Sequence, residues 1–403
     1  MQAVIMAGGY GTRLQTLTHD VIPKPMIEIC GKPLLQWQIE NLKANGIDDI
    51  IVVVGYLGDQ ILDKFGGTVC YYEEEEPLGT AGALPRIADM LEDNFFLIYG
   101  DLFFNIDFQR MMKFHRDHCG HGTVLTHPTS HMFDSDLVIC KHTFLIEDIV
   151  PKIEDRPWWL HNQSMSGIYV FNKSILKVFP QRPKLDLEED ILPLLHYLYS
   201  YKSTEYVKDI GTVERFHQVE ADIKNGVPIA RSLKNKQKAI FLDRDGTINY
   251  KDDLISDPTK FKIFPYAAEA IRKINQSGYL AIVVTNQPVI ARGKCSFDML
   301  DMIHAKMETL LGREGAYLDG IYFCPHHPDK GFPEENRRYK VDCDCRKPKP
   351  GMFYKAAERY NIDLSQSWMI GDTEIDRQAA INAGVKPIIT DNLLDAVNSI
   401  LGE

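Results

Sequence analysis

Short apolar runs rich in valine and isoleucine recur along this 403-residue chain, and a stretch long enough for a helix separates each from the next. Such runs are typical of buried strands in parallel sheets, whose crossover connections are usually helices. The pattern therefore predicts an α/β fold with strands near residues 3–6, 50–54, 95–99, 168–171, 239–242, 279–284, 368–370 and 387–390.

The alternation is interrupted between Lys224 and Lys238. This stretch is basic and polar, contains Gly226 and Pro228, and lacks a sustained apolar stripe. Those properties are typical of a linker. Because 403 residues are also many for a single core, the sequence predicts two domains, residues 1–234 and residues 235–403.

Composition and the N-terminus narrow the class of protein. A net charge of −11 argues against nucleic acid as the main partner, and no apolar run is long enough to span a membrane. Residues 1–7 lack the basic region of a secretory signal and are read as a first strand. We therefore expect a cytoplasmic protein with reduced cysteines, which acts on small molecules and could form a homo-oligomer.

The stretch Asp243–Thr247 (Asp-Arg-Asp-Gly-Thr) directly follows the apolar run 239–242. Side chains two residues apart leave a strand on the same face, so Asp243 and Asp245 are expected to converge at the end of a strand. In sheets of this kind ligands bind at that edge, and two close carboxylates need a cation or a shared proton. The Asp-x-Asp pair alone is equally compatible with a solvated acidic turn.

Later elements supply the other groups that a phosphoryl-transfer site needs. A hydroxyl and two amides follow the run 279–284, two cations precede a helix, and a third acid follows the run 368–370. A nucleophilic carboxylate, a neighbouring acid–base carboxylate, phosphate-binding groups and a Mg²⁺ ligand together favour catalysis over a solvated turn. The additional candidates are Thr285, Asn286, Gln287, Arg346, Lys347 and Asp372.

Two close pairs, Cys324 with His326 and Cys343 with Cys345, supply three thiols and an imidazole. This is the ligand set of a closed tetrahedral zinc site, so the sequence predicts a structural zinc ion beside Arg346 and Lys347. Buried thiols are the alternative. His327 is expected to face solvent, and the remaining cysteines are expected to be ordinary thiols: Cys30, Cys70, Cys119, Cys140 and Cys295.

The N-terminal half begins with a glycine loop, residues 8–14, after its first strand. Glycines let backbone N–H groups approach a phosphate, although a tight structural turn is the alternative. A lysine between two prolines and a Leu-Gly-Thr-Ala turn lie downstream, and two strand-end aspartates could hold Mg²⁺ against a triphosphate. The candidate residues are Gly8, Gly9, Gly11, Thr12, Arg13, Lys24, Gly79, Thr80, Asp101 and Asp209.

These motifs make residues 1 to about 230 resemble the sugar-1-phosphate nucleotidyltransferases, with their Rossmann-like mixed sheet. The resemblance implies that a sugar phosphate attacks the α-phosphorus of an NTP. Arg13 and Lys24 would then offset the developing charge, and Asp101 and Asp209 would bind Mg²⁺. The chain departs from the family pattern at Thr16 and at Ser164-Met165-Ser166, and Glu154 lies roughly where a sugar-binding acid is expected.

The C-terminal motifs resemble the haloacid-dehalogenase-like phosphatases, a Rossmannoid fold, and in particular their heptose bisphosphate phosphatase branch. The resemblance implies that Asp243 forms an aspartyl-phosphate and that Asp245 is the acid and base. It also implies that Thr285 and Lys347 hold the phosphoryl oxygens, with Arg346 and Gln287 as substrate candidates. Mg²⁺ would bind Asp243, Asp372 and the main-chain carbonyl of Asp245.

Together the resemblances imply consecutive steps on D-glycero-D-manno-heptose 1,7-bisphosphate. Its 7-phosphate would be removed, and the remaining 1-phosphate would receive a nucleotidyl group, with GMP as the first choice. A histidinol-phosphate phosphatase, and a transferase for CTP, UTP or dTTP with another sugar, are alternatives. A further alternative is that the N-terminal half binds a sugar nucleotide as a sensor without catalysis.

Overall fold

The structure of the protein is a computed structural model that describes residues 1–9, 14–19, 21–140, 143–152, 156, 158–251, 254–331 and 333–402. It divides into two compact units. Unit 1 comprises residues 1–126, 140–148 and 165–232, and unit 2 comprises residues 127–139, 149–164 and 233–403. Over the part of the chain that is described, no helix is both long enough and apolar enough to cross a membrane.

Unit 1 is built around a sheet whose central strands are almost entirely buried. The elements from the start of the chain to the end of unit 1, four of which lie partly or wholly in unit 2, are β1 (Gln2–Met6), α1 (Gln15–Thr18), β2 (Glu28–Ile29), β3 (Lys32–Pro33), α2 (Leu34–Ala44), β4 (Asp49–Val54), α3 (Gly58–Phe65), β5 (Cys70–Glu73), β6 (Asn94–Tyr99), β7 (Leu102–Asn105), α4 (Phe108–His118), β8 (Gly122–His127), β9 (Leu137–Ile139), β10 (Asp148–Val150), β11 (Ser164–Asn172), β12 (Leu198–Lys202), β13 (Tyr206–Asp209), α5 (Val213–Lys224) and α6 (Val227–Ala230).

The sheet of unit 1 is mixed. Strand β1 pairs in parallel with β4 and β6, and β4 pairs in parallel with β5. Strand β11 instead runs antiparallel to β6, with Ile168 opposite Ile98. A separate antiparallel pair, β7 with β13, sets Asp209 opposite Leu102 and so brings Asp209 beside Asp101. The expected mixed sheet is confirmed, and it places strand ends of both parallel and antiparallel pairs around one site.

Unit 2 contains a five-stranded parallel sheet in the order β16 (Gly320–Cys324), β15 (Tyr279–Asn286), β14 (Lys238–Leu242), β17 (Trp368–Gly371) and β18 (Lys386–Ile389). Apolar cores cover its two faces, as two-sided burial of Val- and Ile-rich strands requires. The elements from residue 233 onward are β14 (Lys238–Leu242), α7 (Ala267–Gln276), β15 (Tyr279–Asn286), α8 (Phe297–Arg313), β16 (Gly320–Cys324), α9 (Gly351–Tyr360), β17 (Trp368–Gly371), α10 (Glu374–Ala383), β18 (Lys386–Ile389) and α11 (Leu393–Leu401).

The division into units differs in one respect from a single cut at the linker. The last point at which the chain passes from unit 1 to unit 2 lies between Ser232 and Leu233, close to the expected position. Residues 127–139 and 149–164, however, also belong to unit 2. These two stretches, called here the inserted segments, carry their own apolar cluster of Met132, Leu137, Val150 and Leu160. A linear scan for linkers does not assign them to unit 2, because the composition of a stretch does not show which distant part of the chain it packs against.

Candidate active sites

The carboxyl edge of the unit 2 sheet gathers the candidate phosphatase residues. Asp243 follows β14, Thr285 and Asn286 end β15, and Asp372 follows β17. Because these three strands are parallel neighbours, their carboxyl ends lie side by side. The sequence-based placement of these residues at one edge agrees with the strand order.

Asp243 lies against a buried lysine. The Nζ of Lys347 is 2.9 Å from Asp243 Oδ1 and 2.5 Å from Asp376 Oδ1, and the lysine side chain is 2% exposed. Burial raises the pKa of Asp243 to about 6, although the Lys347 ammonium opposes that rise. Asp376 is also fixed by Thr373 at the start of α10, where the two residues form a capping box. A lysine held between two acids is positioned to neutralise a phosphoryl group on Asp243.

Asp372 completes a pair of acids suited to a hard cation. Asp243, Asp372 and Asp376 lie close enough to share one ion, and Asp372 Oδ1 is buried without a hydrogen-bond partner in the part of the chain described. Gly246 adopts φ +94°, and a Cβ there would lie 2.3 Å from Asp372 Oδ2, so only glycine fits. All three acids contact a lysine, but Asp376 is 1% exposed and also bonds Thr373, whereas Asp243 and Asp372 are 13% and 20% exposed. Asp243 and Asp372 are therefore the acids that suit Mg²⁺.

Asp245 lies in a different environment from Asp243. The guanidinium of Arg244, which is completely buried, donates to both of its oxygens at 2.8–3.0 Å, and Asn249 Nδ2 and Gln287 Nε2 donate at 2.9 and 2.8 Å. Burial alone would raise the pKa of Asp245, but the charge of Arg244 and these hydrogen bonds outweigh it and lower the pKa. The two acids therefore differ in pKa direction, as acids with separate roles do.

The remaining phosphatase candidates are linked to these groups. Gln287 Nε2 donates to Thr285 Oγ1 at 3.0 Å and Gln287 Oε1 accepts from Arg244, so this amide orients the Asp245 network rather than facing outward. Asn286 makes two hydrogen bonds with the backbone of Lys347. Arg346 Nη1 donates to the carbonyl of His326 at 3.1 Å. Asn286 and Arg346 therefore hold the loop that carries Lys347.

The predicted zinc ligands converge. The three sulfur atoms of Cys324, Cys343 and Cys345 lie 3.2–3.5 Å from one another, and His326 Nδ1 lies 3.4 Å from the sulfur of Cys345 and 3.7 Å from that of Cys324. A side-chain hydrogen bond with Cys324 lowers the pKa of Cys345 to about 5, although burial opposes this, and the lowered pKa favours a thiolate. The donor set and its spacing suit a closed tetrahedral zinc site. His327, expected to face solvent, is instead 7% exposed, so that expectation is wrong.

The candidate transferase site is a cavity of about 360 Å³ in unit 1, and Gly8, Gly9, Lys24, Gly79, Thr80 and Asp101 line it. Gly79 adopts φ +83°, and a Cβ there would lie 2.4 Å from the carbonyl oxygen of Leu185. The Thr80 hydroxyl donates to Asp186 and accepts from the N–H of Leu187. Gly79 and Thr80 thus shape the wall of the cavity. Gly11, Thr12, Arg13 and Glu154 lie outside the described residues.

Both candidate Mg²⁺ ligands of unit 1 are paired with cations. Lys24 Nζ is 2.7 Å from Asp101 Oδ2, and Arg215 Nη1 is 2.8 Å from each oxygen of Asp209. The two acids are about 30% exposed, so the pairs are within reach of solvent. If the phosphates of a nucleotide paired with Lys24 and Arg215, Asp101 and Asp209 would be left to hold a metal ion.

Glu74 is a cavity residue that the sequence analysis missed. Burial raises its pKa to about 7, and Oε1 is buried without a hydrogen-bond partner among the described residues. A Cβ on Gly8 would lie 2.6 Å from Glu74 Oε2, so the loop glycine leaves room for this carboxylate. Glu74 does not stand out in the sequence because it lies in an acidic run with Glu73, Glu75 and Glu76, and such runs are ordinarily solvated.

Comparisons with protein families, with single relatives and with solved structures bear on what these sites do. Residues 2–226 match the nucleotidyl transferase family, and residues 133–384 match the haloacid dehalogenase-like hydrolase family. The D-glycero-β-D-manno-heptose-1,7-bisphosphate 7-phosphatase of Vibrio cholerae is 44% identical over 147 residues, 36% of this chain and 77% of the relative. The enzyme of that name from Escherichia coli K12 is 42% identical over 153 residues, 38% of this chain and 78% of the relative.

Among solved structures, HddC from Yersinia pseudotuberculosis complexed with GMP-PN is 29% identical to this chain. The match covers 55% of this chain and 99% of HddC, with a TM-score of 0.48. Each family match spans more than half of this chain. The chain therefore belongs to the nucleotidyl transferase family and to the haloacid dehalogenase-like hydrolase family, within the latter beside the heptose bisphosphate 7-phosphatases.

Proposed function

We propose that this enzyme removes the 7-phosphate of D-glycero-D-manno-heptose 1,7-bisphosphate and then transfers GMP from GTP to the resulting heptose 1-phosphate. Residues 235–403 would carry the phosphatase chemistry and residues 1–234 the transfer. The observation that carries the proposal is the buried Asp243–Lys347 pair, in a region 44% identical to a 7-phosphatase and fused to a nucleotidyl transferase. A cytoplasmic location and a homo-oligomeric state stay predictions of the sequence.

In the phosphatase step, a carboxylate oxygen of Asp243 attacks phosphorus, the P–O bond to the sugar breaks, and the sugar oxygen takes a proton from Asp245. Water then attacks the aspartyl-phosphate and gives a proton to Asp245, which releases inorganic phosphate and restores both acids. Lys347 and Thr285 hold the phosphoryl oxygens. A Mg²⁺ ion on Asp243, Asp372 and the carbonyl of Asp245 would supply further charge neutralisation.

The environment of Asp245 fits the second half of this cycle more directly than the first. Arg244, Asn249 and Gln287 favour the carboxylate, which is the form that accepts a proton from water. To act as an acid, Asp245 must first be protonated, and the negative charge of a bound phosphate would raise its pKa in the required direction. The bound substrate thus sets the protonation state that the first step needs.

In the transfer step, the 1-phosphate oxygen attacks the α-phosphorus of GTP and pyrophosphate leaves. Lys24 and Arg13 would offset the developing charge, and the glycine loop with Gly8, Gly9, Gly11 and Thr12 would contact the phosphates. Asp101 and Asp209 suit a Mg²⁺ ion that neutralises the triphosphate. Since Lys24 contacts Asp101 in the free protein, arrival of the nucleotide would separate them.

Glu74 supports guanine as the base. An ionised carboxylate offers two acceptor oxygens and no donor, and guanine presents two adjacent donors, N1–H and N2–H₂, on its pairing edge. Uracil and thymine present a single donor between two acceptors, so a bidentate carboxylate discriminates against them. Glu74 lines the same cavity as Gly79, and its Oε1, which has no hydrogen-bond partner among the described residues, would accept one of these bonds.

Zinc is proposed as a structural ion on Cys324, His326, Cys343 and Cys345. Four protein ligands leave no open position for substrate, so the ion would act by fixing the loop. Arg346 joins this cluster to the segment that carries Lys347, through its bond to the His326 carbonyl.

The decisive experiment is mass spectrometry of the products formed from heptose 1,7-bisphosphate with each of the four NTPs. We expect release of one phosphate and formation of GDP-heptose, with both anomers of the bisphosphate supplied separately. Faster turnover of histidinol phosphate than of the bisphosphate would overturn the substrate assignment. Absence of pyrophosphate release with every NTP would instead favour a non-catalytic sensor.

A further inference from the structure

The inserted segments pack against helix α8 within unit 2. The hydroxyl of Thr309 accepts from the N–H of Leu160 at 3.0 Å and donates to the carbonyl of the same residue at 3.1 Å. Gly312 brings the helix surface close to Met132, since a Cβ there would lie 2.2 Å from the Met132 sulfur. These contacts dock the segments on the helix without using any charge.

His161 adds a charged contact to this apolar docking. Its Nδ1 is 2.5 Å from Glu308 Oε2, and its Nε2 is 3.1 Å from Asp301 Oδ1. Burial by itself would lower the pKa of His161, but the two carboxylates outweigh that effect and raise it to about 9. The imidazole is therefore a cation between two acids, one of which, Glu308, is only 6% exposed.

The same helix reaches the phosphatase site on the next turn. Asp301, His304 and Glu308 are three and four residues apart, so they share one face of α8. His304 is 3% exposed, and its Nε2 lies 3.3 Å from Arg244 Nη1. Arg244 in turn holds both oxygens of Asp245. Two groups of polar contacts thus lie on one face of α8: His161 with Asp301 and Glu308, and, between those two positions of the helix, His304 with Arg244 and through it Asp245.

Burial and the charges of Arg244 and His161 keep His304 neutral. Burial first, then the positive charges of Arg244 and His161, hold the pKa of His304 well below its usual range. A neutral His304 can accept a hydrogen bond from Arg244 through Nε2, whereas a protonated one cannot. The Asp301 carboxylate, three residues before His304, acts in the opposite direction. Without the His161 charge, the carboxylates of Asp301 and Glu308 on this face of the helix would together favour a cationic His304, which would repel Arg244.

We propose that His161, contributed by an inserted segment from within the transferase sequence, is a positioning residue of the phosphatase that acts through Glu308, His304 and Arg244 on Asp245. The inference rests on the phosphatase chemistry of this family and not on the identity of the sugar. It implies that the phosphatase is completed by chain that precedes residue 233.

The test uses the full chain with p-nitrophenyl phosphate and Mg²⁺, because water attack on the aspartyl-phosphate needs Asp245 whichever alcohol has left. His161→Gln is expected to lower kcat about tenfold with little change in KM, since phosphate binding by Thr285 and Lys347 is untouched. The double variant His161→Gln with Glu308→Gln removes the unpaired carboxylate and is expected to recover most of kcat. His217→Gln, at an exposed position of α5, is the matched control and should leave kcat unchanged.

Recovery of kcat in the double variant distinguishes positioning from simple docking. If His161 and Glu308 only docked the inserted segment, the second substitution would lower kcat further. An unchanged kcat in His161→Gln would overturn the proposal. A double variant slower than the single one, with a parallel fall in melting temperature, would also overturn it.

Discussion

The two candidate sites differ in how deeply their charged side chains are buried before any substrate binds. In unit 2, Lys347 and Asp376 are 2% and 1% exposed, and the lysine already contacts Asp243, the proposed nucleophile. In unit 1, Asp101 and Asp209 are about 30% exposed and are paired with Lys24 and Arg215. Covalent catalysis requires a nucleophile with a fixed environment, whereas nucleotidyl transfer mainly requires positioning and charge neutralisation.

The difference shows what burial contributes to each reaction. A charge buried in unit 2 is strengthened by the low dielectric constant around it, but it must be balanced before any substrate binds. The exposed pairs of unit 1 can exchange partners when a triphosphate and its metal ion bring their own charges. Substitutions at equivalent residue types should therefore have different consequences in the two units.

The largest expected effect separates the two activities. Asp243→Asn keeps the shape of the side chain but removes the proposed nucleophile, so phosphate release should fall by at least about 10⁴-fold. Pyrophosphate release by the same preparation should stay within about twofold of the wild-type rate. A matching loss of both activities would contradict separate sites.

A lysine in each unit offers a direct comparison of stability. Lys347→Met leaves Asp243 and Asp376 without their shared cation and should lower the free energy of unfolding of unit 2 by about 3–5 kcal/mol. Lys24→Met removes a pair within reach of solvent and should cost at most about 1 kcal/mol. Hydrogen exchange followed by mass spectrometry, read on peptides from β14 and from β1, measures the two units separately. Equal effects would mean that burial does not distinguish the sites.

Removal of the proposed zinc should have an intermediate effect confined to the phosphatase. Cys343→Ser is expected to lose bound zinc, measured by elemental analysis, and to lower phosphate release about 10–100-fold by loosening the loop of Arg346 and Lys347. Cys295→Ser, at a cysteine outside the cluster, should retain zinc and activity. Full phosphatase activity in zinc-free Cys343→Ser would show that the cluster does not support the site.

The smallest expected effect is a pH dependence in the transferase. Glu74 must be ionised to accept two donors from guanine, and burial raises its pKa to about 7. About a tenth of the free enzyme is then competent at pH 6 and most of it at pH 8, so the KM for GTP should fall roughly tenfold over that range. Glu74→Gln should remove this dependence and weaken the preference for GTP over UTP. A profile shared by wild type and variant would exclude Glu74 as its source.

Much of this arrangement was predictable from sequence, because strand-end chemistry follows from local pattern. Asp243, Thr285 and Asp372 lie at strand ends that the apolar runs identify, and the zinc candidates lie at recognisable spacings. Long-range pairing was not predictable. Nothing around His161 indicates that it meets α8, some 140 residues later, and nothing around Arg244 indicates complete burial.

The inserted segments also constrain how the chain is made. They leave the ribosome well before α8, since roughly 130 residues separate β11 from the start of that helix. At a synthesis rate of about 5–20 residues per second, the apolar side chain of Leu160 waits about 7–27 s, and that of Met132 about 8–33 s, until synthesis of α8 begins. Folding of unit 2 during translation therefore depends on how well the nascent chain shields the apolar side chains of the inserted segments until α8 has been synthesised.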